Sequence, residues 1–90
     1  MNIYETAIDH FGEDNQLLQT CEELAELMQA ISKAKRYDGQ SYIDGVAEEI
    51  ADVQIMCEQI KIIFGISDAD VARERERKLA RLGRIINAGK

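Results

Sequence analysis

Apolar residues recur along this chain at intervals of three and four, the period of an amphipathic helix, rather than at the strict alternation of a half-buried strand. The pattern predicts four helices. The first covers residues 2–11, with Ile3, Tyr4, Ala7, Ile8 and Phe11 on one side and Gly12 as its C-terminal cap. Asp14 or Asn15 is placed to cap the second, whose stripe is Leu17, Leu18, Cys21, Leu24, Ala25, Met28 and Ile31 and which runs to about Lys35. Arg36 to Gln40, with Asp38-Gly39, reads as a turn. The third helix starts near Ser41 and ends near Phe64, with Gly65 beyond it as a cap. Ser67 and Asp70 have the spacing of a capping box for the fourth, which runs to about Asn87.

From Val53 to Phe64 the third helix is apolar nearly all round, the pattern of a helix covered on most sides. In a chain of 90 residues only a partner subunit could supply that cover. The expected fold is all-α: a small helical bundle, one short helix plus three longer ones, in a single domain over residues 1–90, completed by homo-oligomerisation. The absence of proline agrees with this, and no run of about 18 apolar residues provides a membrane span. The first eleven residues carry acids and no basic stretch, unlike a signal peptide. Cys21 and Cys57 form no CxxC and have no His at ligand spacing; they are expected as small, reduced core residues of a cytoplasmic protein.

Charge changes the picture. The net value of −6 argues against a nucleic-acid partner. Residues 1–70 hold 15 acids and 4 bases, whereas residues 71–90 hold 2 acids and 7 bases. An acidic body with a basic C-terminal segment would suit a metal–phosphate ligand.

The acids include a phrase that occurs twice, Glu22-Glu23-Leu-Ala-Glu26-Leu and Glu48-Glu49-Ile-Ala-Asp52-Val. Helical spacing puts Glu23 with Glu26, and Glu49 with Asp52, on one face each, a turn apart. Two such helices side by side could aim four carboxylates at one point, an arrangement that calls for a hard divalent cation, Mg²⁺ or Mn²⁺. On the second helix Glu23 and Glu26 lie nearly opposite the Leu17/Cys21/Met28 stripe, where an ordinary solvated face would be. On the third helix the acidic strip continues into Met56, Ile60 and Ile63, toward an interface, where carboxylates need partners. On the fourth, Arg75 and Lys78 fall inside the arc of Val71, Leu79, Leu82, Ile85 and Ile86. Such inward cations either snorkel around the helix or meet an anion.

Glu23-xx-Glu26 followed by Glu49-xx-Asp52, all on helices, resembles the ExxE…ExxD signature of the MazG-like all-α NTP pyrophosphohydrolases. Lys78-xx-Arg81 resembles the basic motif those proteins carry on the next helix, and the likeness runs from about Asn15 to Arg84. The resemblance implies hydrolysis of (deoxy)nucleoside triphosphates to a monophosphate and pyrophosphate, as nucleotide-pool housekeeping. It implies Mg²⁺, with Mn²⁺ as the substitute, held by Glu23, Glu26, Glu49 and Asp52, and a homodimer or homotetramer with sites that often draw on more than one subunit. Lys78 and Arg81, with Arg75, would hold phosphate, and Glu22 or Glu26 would orient the attacking water. The chain departs from the pattern where many members have an Asn and an Arg after the Lys; Leu82 and Ile85 sit near those positions.

Two other readings stay open: a non-catalytic acidic helical module that binds a basic partner, and a phosphoribosyl-ATP pyrophosphohydrolase-like enzyme of the same superfamily. A di-iron bundle is set aside for want of any Glu-x-x-His. For base recognition Tyr4, Phe11, Asn15, Gln16 and Gln19 are candidates, each more simply read as packing or capping. The single histidine, His10, is expected to be structural or exposed.

Overall fold

The computed structural model describes residues 1–89: α1 (Ile3–Phe11), α2 (Glu13–Arg36), α3 (Gln40–Phe64) and α4 (Asp68–Ala88), with no strand among the described residues. None of these helices is long and apolar enough to cross a membrane.

Local chemistry sets the ends. Asn2 caps α1 in a capping box: its side chain accepts from the Glu5 N–H at 2.8 Å, and the Glu5 carboxylate accepts from the Asn2 N–H at 3.1 Å. Ser67 and Asp70 form the expected box on α4, both bonds at 3.0 Å. The expectation for α2 is corrected. Neither Asp14 nor Asn15 is its cap, because Gly12 both ends α1 and begins α2. Its φ of 92° lets one residue turn the chain between two helices, a conformation that a side chain disfavours. Glu13 and Asp14 instead lie in the first turn, where they meet the positive end of the helix dipole.

Helices α2 and α3 run antiparallel and form the main packing unit, with α1 laid against both. Near the start of α2, Gln16 donates from Nε2 to Oε1 of Gln59, near the end of α3, at 2.7 Å. The seam is polar where a core would ordinarily be apolar. Gln16, Thr20 and Gln59 are buried, and Met56 is the one buried apolar side chain among the described residues. Thr20 donates its hydroxyl to the Gln16 carbonyl, and the Gln59 amide lies on the Met56 sulfur, so these groups are satisfied locally.

The apolar stripe of α2 points the other way. Leu18, Met28 and Ile31 are 65, 70 and 52 % exposed. The helix has turned its Gln16/Thr20/Glu23 side to α3 and its hydrophobic side outward. On α3, Ile55, Ile62 and Phe64 are also exposed, so one copy does not supply the cover this helix was expected to have. Cys21 and Cys57 are exposed as well, against the expectation of core residues, because each lies off the α2–α3 seam.

Helix α4 joins α3 through Lys61, whose Nζ lies 2.6 Å from Glu58 and 2.7 Å from Asp68. It then diverges. Val71 and Arg75 face Ala51, Gln54 and Glu58 of α3 across an open groove of about 800 Å³, and farther along Leu79, Leu82, Ile85 and Ile86 are all more than half exposed. The molecule is accordingly flat, 49 × 35 × 18 Å, with a radius of gyration of 16.4 Å. A compact chain of this length would have about 12 Å. Its accessible surface is 7054 Å², against about 5,300 Å² for a compact monomer of this mass.

Candidate functional site

The face of α3 that meets α2 carries Glu49 and Asp52 one turn before Met56. The face of α2 that meets α3 carries Glu23 one turn after Thr20. Glu23, Glu49 and Asp52 thus each bring a carboxylate oxygen to within 4.8 Å of the others. Gln19 donates to Oε1 of Glu23 at 2.9 Å and fixes that side chain. The second oxygens, Oε2 of Glu23 and Oε2 of Glu49, are buried without any hydrogen-bond partner. Buried carboxylate oxygens are costly when unpartnered, and the cluster has the hard, oxygen-only donors that suit Mg²⁺ or Mn²⁺. The residues therefore fit such an ion.

Electrostatics agree with the geometry. Burial raises the Glu49 carboxyl above the ordinary glutamate value, and the charges of Glu26, Asp52 and Glu23 push it further in the same direction. Glu26 thus belongs to the same field, and it lines a cleft that opens from Glu49 between α2 and α3. The cleft measures about 450 Å³, and its wall includes Gln29, Lys33, Ser41 and Tyr42. Tyr42 is braced by Tyr37, stacked with ring centroids 5.4 Å apart.

Of the residues expected at the site, the structure gathers Glu23, Glu49 and Asp52, with Glu26 at the cleft edge. The solvated face expected for Glu23 is corrected, since α2 packs through its polar side. Glu22 is exposed and belongs to neither the cluster nor the cleft wall. Arg75, Lys78 and Arg81 are not brought to the carboxylates. At about 100° per residue, Ala51, Gln54 and Glu58 point away from Glu49, Asp52 and Met56, so α4 lies on the far side of α3.

The base-recognition candidates disperse likewise. Gln16 is buried against Gln59, Gln19 is bonded to Glu23, and Tyr4 lines the far groove. Phe11 packs edge-on against the exposed His10 with centroids 4.7 Å apart. The residues that do adjoin the carboxylates, Gln29, Lys33 and Tyr42, were missed. Lys33 was findable: it lies seven residues after Glu26, two helical turns along the same face. Tyr42 was not, because its position depends on how the 36–40 turn closes. Comparison of the chain with family models, curated proteins and solved structures finds no match.

Proposed function

We propose that this protein is a Mg²⁺-dependent nucleoside triphosphate pyrophosphohydrolase that works as a homodimer or homotetramer. The observation that carries the reading is the pair of buried, unpartnered oxygens on Glu23 and Glu49 inside a seam lined by polar side chains. A fold that sends its hydrophobic stripe outward and carboxylates inward makes physical sense around a cation.

Glu23, Glu49 and Asp52, with Glu26 beside them, would hold the ion. Bound there, Mg²⁺ supplies neutralisation of phosphate charge and a more acidic water. Glu26, at the boundary between cluster and cleft, would orient such a water and take up its proton. Lys33 is the one basic side chain on the cleft wall and offers its ammonium to a phosphate oxygen. Tyr42, held by Tyr37, offers a ring face, and Gln29 and Ser41 offer hydrogen bonds to the nucleoside end.

The test is pyrophosphate release over a panel of NTPs, dNTPs, modified nucleotides and phosphoribosyl-ATP, with and without Mg²⁺. Metal-dependent pyrophosphate with a matching monophosphate is the expected result. No turnover on any member, together with a melting temperature indifferent to Mg²⁺ and Mn²⁺, would leave a binding module for basic partners as the better account. Within the proposed enzyme, Lys33→Ala is expected to raise KM roughly tenfold, the effect of losing one charge-assisted hydrogen bond. Steady-state kinetics on the preferred nucleotide checks this.

A further inference from the structure

We infer that Gly45 is a specificity-determining residue: it leaves bare the stretch of cleft wall over which the pentose of the substrate lies. The inference rests on reading the cleft beside Glu49 as a nucleotide site, and goes beyond it by assigning the place of the sugar and the residue that makes room for it.

Gly45 is the sixth residue of α3, inside the helix and past its first turn. Glycine is among the poorest residues for a helix interior, and the ordinary reasons for one are missing here. The backbone does not require it, because the glycines with positive φ among the described residues are Gly12, Gly39 and Gly65. Close packing does not require it either. A Cβ at position 45 would meet nothing within 4 Å beyond the helix's own neighbouring backbone. Nor does it cap the helix, which runs on to Phe64.

What the missing side chain provides is open space. Gly45 lines the 450 Å³ cleft beside Glu49. Ser41, Gly45 and Glu49 recur every four residues and share one face of α3, the face that carries the carboxylates into the seam. Farther along that face Met56 and Gln59 are buried and fill the seam. At Gly45 the filling stops, and Ala30 on the α2 wall adds only a methyl group. The resulting volume lies within the range of small-molecule sites.

The two walls differ in chemistry. The α2 wall carries the charged Glu26 and Lys33, whereas Ser41, Tyr42 and Gly45 on the α3 wall are uncharged. Phosphates belong with Glu49 and Lys33, and the base with the Tyr42 ring. At about 1.5 Å per residue, Gly45 stands about 4.5 Å along the helix from Tyr42 and about 6 Å from Glu49. The pentose is the part of a nucleotide that joins phosphates to base, so it is the part that passes over Gly45. A side chain at this position would occupy its place.

The experiment compares Gly45→Ala and Gly45→Leu with the parent, using inorganic tripolyphosphate as a probe that has phosphates but neither sugar nor base. Both substitutions favour the helix, and Gly45→Ala is expected to raise the melting temperature by roughly 4–8 °C. Mn²⁺ and tripolyphosphate should bind both variants as they bind the parent. The KM for the preferred nucleotide should rise more than about tenfold in Gly45→Leu, the effect of overfilling a packed site, and by a smaller factor in Gly45→Ala, with kcat little changed. Affinity for a non-hydrolysable triphosphate analogue should fall in parallel.

A Gly45→Leu chain with the parent's KM would overturn the inference. So would a loss of tripolyphosphate binding equal to the loss of nucleotide binding, because bulk at position 45 would then act on the fold or the phosphates and not on the sugar. If Gly45→Leu does not fold, Gly45→Ala decides by the same two readouts. A parent chain that binds Mn²⁺ but neither turns over nor binds any nucleotide would overturn the proposed reaction, and this inference with it, before any variant is compared.

Discussion

Replacing Glu49 and Asp52 with Gln and Asn is expected to remove Mg²⁺-dependent pyrophosphate release by more than about a hundredfold, since even the outer partners of metal ligands carry effects of that size. The helical circular dichroism should stay, and the metal-free protein should melt at a higher temperature than its parent. The second half follows from the raised Glu49 carboxyl. The folded chain keeps a proton there that the unfolded chain has already lost, so the contribution of this carboxyl to stability is highest below the ordinary glutamate range. It falls as pH climbs through the interval between the ordinary and the raised value, and stays lower above it. The two substituted amides carry no charge to repel Glu23 and Glu26, so the advantage of the variant appears above that interval. Mg²⁺ should close the gap by stabilising the parent and leaving the variant unmoved. Thermal melts at several pH values, with and without Mg²⁺, check all of this. A variant that keeps full activity would sink the proposed reaction. One that melts lower than its parent at neutral pH would show that the carboxylates are structural partners and not a repelling set.

The second large effect concerns the outward face of α2. Leu18→Glu/Met28→Glu alters two side chains that are 65 and 70 % exposed in one copy. In an ordinary surface position such changes cost little. Here they are expected to abolish self-association and lower stability by several kcal/mol, because each large apolar side chain buried in an interface contributes about 1.5–3 kcal/mol. Light scattering should report a monomer for the variant and an oligomer for the parent. The parent's melting temperature should rise with protein concentration, as mass action requires of a coupled fold and assembly. A parent that scatters as a monomer and melts independently of concentration would contradict the prediction.

The helices were legible in the sequence because their signals are local. The period of three and four, Gly65 and the Ser67/Asp70 box each act within a turn or two. The convergence of Glu23, Glu49 and Asp52 was legible from two repeated phrases on neighbouring helices. What failed depended on orientation. The stripe from Leu17 to Ile31 reads as the inward face of α2 by every rule for a self-contained domain, and the structure turns it outward. That rule assumes that the chain buries its own hydrophobic surface. In a flat chain the inward face is instead fixed by the Gln16–Gln59 bond, Thr20 and the carboxylates. The same assumption misplaced Cys21 and Cys57. The spacing puts Lys78 on α4, but only the path of α4 after Lys61 shows that Val71 and Arg75 meet the side of α3 away from the acids of their own chain.

The 18 Å thickness of the molecule has a bearing on how this protein tolerates change. In most domains accessibility is a licence to vary, and a scan of all single substitutions returns its harshest penalties at the least accessible positions. A slab this thin has almost no such positions. Its penalties should instead form two separate maps. One would follow the polar seam, where Gln16 and Gln59 reject even isosteric hydrophobic replacements. The other would follow residues that look free in a single copy, such as Leu18, Met28 and Leu82. A ranking of mutational risk by exposure alone would place those last three among the safest sites, when they belong among the most sensitive.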